Sequence, residues 1–196
     1  AAVVSKSVKN GSLCEVVPHM INLPKTDEKL AENKFIVFGR YGGFNDFDIR
    51  YVHEAIKEIL YERNDIFFLF ANTAEFYVHP RILYLDPIID PNEKVKFINS
   101  CDAMIHARLD GESFGLSVGE FSSCNKPIIT SYGYYNNHID ILGDRAIIYN
   151  SKESLKEIFL NFEKIKNSRT DWNAYTDYTP EKVMEIFNRV YLKTDK

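Results

Sequence analysis

Residues 108–123 read RLDGESFGLSVGEFSS and set two glutamates, Glu112 and Glu120, with seven residues between them that include Phe114-Gly115-Leu116. A helix opening near Ser113 or Phe114 directs the free N–H groups around Phe114, Gly115 and Leu116 at whatever lies above it, which makes an anion site. Helical side chains lean toward the helix N-terminus, so the Glu120 carboxylate reaches back to the same place. A carboxylate repels phosphate but accepts hydrogen bonds from hydroxyls. A diphosphate with a sugar on each side, as in a nucleotide sugar, satisfies both demands. A second cluster, Gly39, Arg40, Gly42 and Gly43, follows the apolar run 35–38. Glycines admit close backbone approach to a ligand, and an arginine fork matches phosphate oxygens. The alternative for this cluster is a tight turn with a surface arginine, and for the glutamates two solvated helix charges.

Such groups converge only if the chain places them at one edge of a sheet. Short apolar runs at 35–43, 66–72, 81–87, 102–107, 126–131 and 145–150 predict strands buried on both faces. Apolar residues recur at helical spacing over 46–62, and helices are also expected over 90–101, 154–165 and 179–193. Asp90 is the expected N-cap of the second, with Pro91 in its first turn. Thr179-Pro180 opens the last in the same way. Strands alternating with helices predict a doubly wound parallel α/β sheet, Rossmann-like, with ligands at the carboxyl ends of the strands. Residues 1–34 read as a linker and interdomain segment, and 35–196 as the domain itself.

Composition narrows the function classes. A net charge of −4 gives no electrostatic reason to expect a nucleic-acid partner. The three cysteines, Cys14, Cys101 and Cys124, lack a C-x-x-C pair, which fits a reducing, cytoplasmic setting rather than a disulfide framework or zinc site. The five histidines have no metal-ligand spacing. His106, within an apolar strand, reads as a hydrogen-bonded strand-end residue, and His138 as part of a polar aromatic loop with Tyr132, Tyr134 and Tyr135.

The Glu112/Glu120 pair resembles the E-x(7)-E signature of retaining glycosyltransferases of GT-B fold, family 4 in particular. Four further segments resemble that family in its order. VVPHMINLP is similar to its linker motif, FIVFGR to the strand opening its C-terminal domain, INSCDAMIHARLDGESFGLSVGEF to its glycine- and glutamate-bearing block, and KPIITS to the strand after it. The resemblance implies the C-terminal, donor-nucleotide-binding half of a longer enzyme that transfers a sugar to a hydroxyl acceptor. The acceptor, a glycan or other hydroxyl compound, belongs to an N-terminal half, as does any peripheral membrane contact. By the same resemblance Arg40 contacts the donor diphosphate and Glu112, the catalytic-site residue, bonds hydroxyls of the transferred sugar. Phe114, Gly115 and Leu116 face sugar and phosphates, Glu120 holds the ribose, and backbone from Asp86 to Ile88 borders the base. Asn45 stands nearest the place of a phosphate-binding lysine usual in the family, so either Arg108 or another cation substitutes or phosphate binding is weaker. The only donor molecule implied is the nucleoside diphosphate sugar, with no cofactor and no metal. A non-catalytic nucleotide- or sugar-binding module is the alternative. A dinucleotide enzyme is disfavoured, because residues 39–43 lack the full G-x-G-x-x-G pattern.

Overall fold

The computed structural model describes residues 16–30 and 34–192. Cys14 with the rest of residues 1–15, residues 31–33 of the expected linker and the last residue of the helix expected to end at 193 lie outside them. The chain runs β1 (Ile36–Phe44), α1 (Arg50–Glu62), β2 (Ile66–Thr73), β3 (Ile82–Leu85), α2 (Pro91–Asn99), β4 (Ala103–Ile105), β5 (Gly111–Glu112) and α3 (Leu116–Ser123). It continues with β6 (Ile128–Thr130), β7 (Tyr135–Asn136), α4 (Asn137–Leu142), β8 (Ala146–Ile148), α5 (Lys152–Leu160), α6 (Phe162–Asn167) and α7 (Pro180–Phe187). Six strands form one parallel sheet in the order β3-β2-β1-β4-β6-β8. The doubly wound α/β fold expected from the sequence is therefore present. The order reverses between β1 and β4, and this crevice at the strand ends is where such sheets bind ligands.

Alternation along the strands divides the core between two faces. Phe38, Phe68, Phe70, Ala103 and Ile105 pack under α1 and α5 through Ile56, Ile59, Leu155 and Phe159. Val37, Leu69, Ala71, Met104 and Ile128 pack on the opposite face against Phe97, Ile98, Val118 and Phe121. Each fully buried Phe or Ile contributes about 1.5–3 kcal/mol. Such runs read as strands because water reaches neither side. Residues 16–30 lie against the second face: Ile21 is buried there and its N–H donates to the Tyr178 carbonyl. Leu30 N–H donates to Ser100 Oγ.

Several elements depart from the expected bounds. The first helix begins at Arg50 rather than Asp46, since residues 45–46 form a loop whose carbonyls accept from Arg40 and Phe47 is fully buried beneath it. The single helix expected over 154–165 is two, broken at Asn161 (φ −103°, ψ 13°), whose side-chain amide donates to the Glu157 carbonyl. After α7 the chain continues as a π-helical stretch, Asn188–Leu192. The region expected to be a loop around His138 holds β7, paired in parallel with β5, and then α4.

Candidate functional site

A cavity of about 540 Å³ opens at the carboxyl ends of β1 and β4. Residues Met104–Arg108 line its base, the loop after β1 and the first turn of α3 form its walls, and Lys94 of α2 closes one side. Of the residues singled out in the sequence, Arg40, Asn45, Glu112, Phe114, Gly115, Leu116 and Glu120 all line it. Gly39, Asp86 and Ile88 are not part of that lining. Gly39 answers to packing instead: a Cβ there would come within 2.4 Å of Cys101 Sγ and 3.1 Å of the Phe121 ring. Asp86 and Ile88 stand off beyond Tyr41, whose hydroxyl donates to the Ile88 carbonyl at 2.8 Å.

Arg40 is only 8% exposed. Its Nη1 donates to the Asn45 carbonyl (2.9 Å) and Thr73 Oγ1 (2.5 Å), its Nη2 donates to the Asp46 carbonyl (3.1 Å), and the guanidinium lies 4.8 Å over the Phe47 ring. Burial, only partly offset by Asp48 and Asp46, brings its pKa down to about 10, so it stays cationic at neutral pH. In this geometry Arg40 organises the 42–46 loop and adds a fixed positive charge behind it.

Both glutamates carry a cation already. Glu120 Oε1 accepts from Lys94 Nζ at 3.0 Å, with that ammonium 4.7 Å above the Tyr41 ring. Glu112 Oε1 accepts from Arg108 Nη1 at 2.9 Å and lies 3.5 Å from His106 Nε2. Burial raises the Glu112 pKa, but His106 and Arg108 outweigh it and hold the carboxyl below its ordinary range. Lys94 escaped the sequence reading. The signal was the Asp90-Pro91 start itself: Asp90 caps Asn92 and Glu93 N–H, which puts α2's first turn at the strand ends.

Glu112 does not sit on a helix. It belongs to β5, and α3 begins four residues later at Leu116, not at Ser113 or Phe114. The N-cap is Gly115 in the left-handed region (φ 76°), where a side chain would be strained and where no side chain competes for the first N–H groups. The Phe114 ring is buried against Tyr175 and Tyr178, and its carbonyl accepts from Tyr175 Oη at 2.6 Å. The cavity therefore presents an uncapped helix N-terminus, a buried arginine and two carboxylate–cation pairs. Such a set is chemically suited to anionic oxygens and to hydroxyls.

No group of three or more histidines, cysteines or acids fit to hold a metal ion occurs among the described residues, and none of their helices is long and apolar enough to cross a membrane.

No family model matches the chain, and no curated protein matches it in sequence. Solved structures do match in fold. The lipopolysaccharide outer core galactosyltransferase WaaB in its apo form superposes with a TM-score of 0.63 at 13% identity, over 91% of this chain and 56% of that one. The pneumococcal O-GlcNAc transferase GtfA in complex with UDP and GlcNAc gives 0.63 at 10% identity, over 89% and 38%. A putative UDP-N-acetylglucosamine 2-epimerase from Listeria monocytogenes gives 0.55 at 14%, over 82% and 46%. The chain thus spans between 38% and 56% of the length of these proteins. Its fold is the Rossmann-like domain found in GT-B glycosyltransferases.

Proposed function

We propose that this chain is the donor-binding half of a glycosyltransferase, acting on a nucleoside diphosphate sugar with retention of configuration as in family 4. The observation that carries this is that the Glu112–Arg108 and Glu120–Lys94 pairs line one cavity with the uncapped α3 N-terminus. Phosphate oxygens would meet the N–H groups of α3 and the field of Arg40, while Lys94 supplies the cation missing at Asn45. Glu120 would bond the ribose and Glu112 the transferred sugar. Developing charge on the leaving diphosphate is then stabilised by protein dipoles and cations. The acceptor hydroxyl would come from a second, N-terminal half, and the cytoplasm is the compartment we assign.

One observation favours a second reading: the putative epimerase has the same fold, so a nucleotide sugar could be bound here without transfer to an acceptor. Calorimetry across UDP, GDP, ADP and dTDP, then their sugar derivatives, tests what the two readings share. Binding of one diphosphate and its sugar form is the expected result, and no binding to any of them removes both. Product analysis on the longer chain separates them, since an epimerised nucleotide sugar without glycosylated acceptor would favour the second.

A further inference from the structure

Beneath the cavity lies a buried polar chain that the roles above do not use. His106 Nδ1 is 2.9 Å from Thr130 Oγ1, which is 3.0 Å from His138 Nε2. All three side chains are buried: His106 is 4% exposed, and Thr130 and His138 are fully enclosed. The Tyr149 hydroxyl donates to the His106 carbonyl at 3.0 Å and fixes the backbone there. Two ring nitrogens, His106 Nε2 and His138 Nδ1, are buried without a hydrogen-bond partner. Groups of this kind stay buried at a cost unless their arrangement serves something.

We propose that His106 is a positioning residue for Glu112, locked by Thr130 and His138 into the tautomer that carries its proton on Nε2. This rests on the donor-site reading only for the role of Glu112, not for the tautomers.

The shortest contacts favour one assignment. His106 Nε2 stands 3.5 Å from Glu112 Oε1, and a bare lone pair there would repel the carboxylate, so Nε2 carries the proton. With the proton on Nε2, His106 offers Nδ1 as an acceptor for the single proton of the Thr130 hydroxyl. The Ser131 carbonyl, at 3.5 Å, is a more distant acceptor for that hydroxyl than His106 Nδ1 at 2.9 Å. Thr130 Oγ1 in turn accepts from His138 Nε2, which therefore bears His138's proton. His138 is kept neutral by burial, which brings its pKa down to about 4. That leaves His138 Nδ1, buried without a hydrogen-bond partner, with its lone pair. The chain runs one way, from His138 through Thr130 and His106 to Glu112. At its end Arg108 and His106 both bear on Oε1, which leaves Oε2 as the acceptor for a ligand hydroxyl.

The test is imidazole nitrogen NMR on the 196-residue chain at neutral pH, with Thr130→Val and Thr130→Ser. The native chain should show both His106 and His138 protonated on Nε2. Valine keeps the shape and removes the hydroxyl, so His106 should average between tautomers, while serine should restore the native pattern. In parallel, Thr130→Val should weaken a nucleoside diphosphate sugar about three- to tenfold, the worth of one neutral hydrogen bond, and leave the free diphosphate within about twofold. A native His106 protonated on Nδ1, or a folded valine variant with native tautomers and native discrimination, overturns the proposal. If no nucleotide sugar binds the native chain, the donor reading falls and the tautomer measurement still decides this one.

Discussion

At the residue scale the two glutamates answer to different parts of one ligand, so they should fail differently. Glu120→Ala should weaken free diphosphate and nucleotide sugar alike. A lost charge-assisted bond costs about 1.5–3 kcal/mol. Freed Lys94 offsets part of that by turning toward phosphate, so about a tenfold loss is expected for both ligands. Glu112→Ala should weaken the sugar form by a similar factor and spare the free diphosphate, because it removes a negative charge and releases Arg108. Calorimetry on both ligands with both variants checks this, and changes within about twofold throughout would mark the carboxylates as surface charges. His138 predicts a pH effect on stability instead. Its folded pKa of about 4 lies below the ordinary 6.5, so the unfolded chain binds the proton more readily. Stability from this group is whole above pH 6.5 and lost as pH falls toward 4, up to about 3 kcal/mol. Urea titrations from pH 7 to 4 should show that component in the native chain and lack it in His138→Gln.

At the scale of elements, the cation that pairs with Glu120 depends on a cap. Asp90 Oδ1 accepts from Asn92 N–H at 2.7 Å and Glu93 N–H at 3.2 Å, and so fixes the turn that carries Lys94. Asp90→Ala should cost about 1 kcal/mol of stability by denaturant titration and lower diphosphate affinity by loosening Lys94. The cap was readable because Asp-Pro at a helix start acts through neighbours in sequence. The same holds for the β1, β2 and β4 runs, whose apolar residues meet the core whichever face they turn to. What escaped was set by neighbours in space. The β5–β7 ladder is two residues a side, too short for any periodicity, and it alone moves Glu112 off the helix. Gly39 looked like a ligand glycine because it adjoins Arg40. Cys101 and Phe121, which exclude a Cβ there, come from 62 and 82 residues downstream. Arg40 was legible as a site cation, yet its bonds to the 45–46 carbonyls and Thr73 depend on a loop conformation that carries no sequence signature.

For the molecule as a whole, the charges gathered at the switch point set what binding requires. Arg40, Lys94 and Arg108 bring three cations to one cavity, against Glu112, Glu120 and the Asp46 and Asp48 carboxylates at its rim. Two of the cations are paired with the glutamates, and the α3 N-terminus adds about half a positive charge. A diphosphate entering this field displaces carboxylate contacts onto its own flanking hydroxyls, so its charge can be matched by protein groups alone. Donor affinity measured in excess EDTA should therefore lie within about twofold of that in magnesium or manganese. A loss of tenfold or more on chelation, about 1.4 kcal/mol, would show that the protein's cations do not suffice. The same chain should bind donor without glycosylating an acceptor, because each group assigned above addresses the nucleotide sugar and none addresses a second hydroxyl. Robust acceptor glycosylation by these 196 residues would place the acceptor site within this domain and make the exposed Tyr132, Tyr134 and Tyr135, beside Glu112's own short ladder, its first candidates.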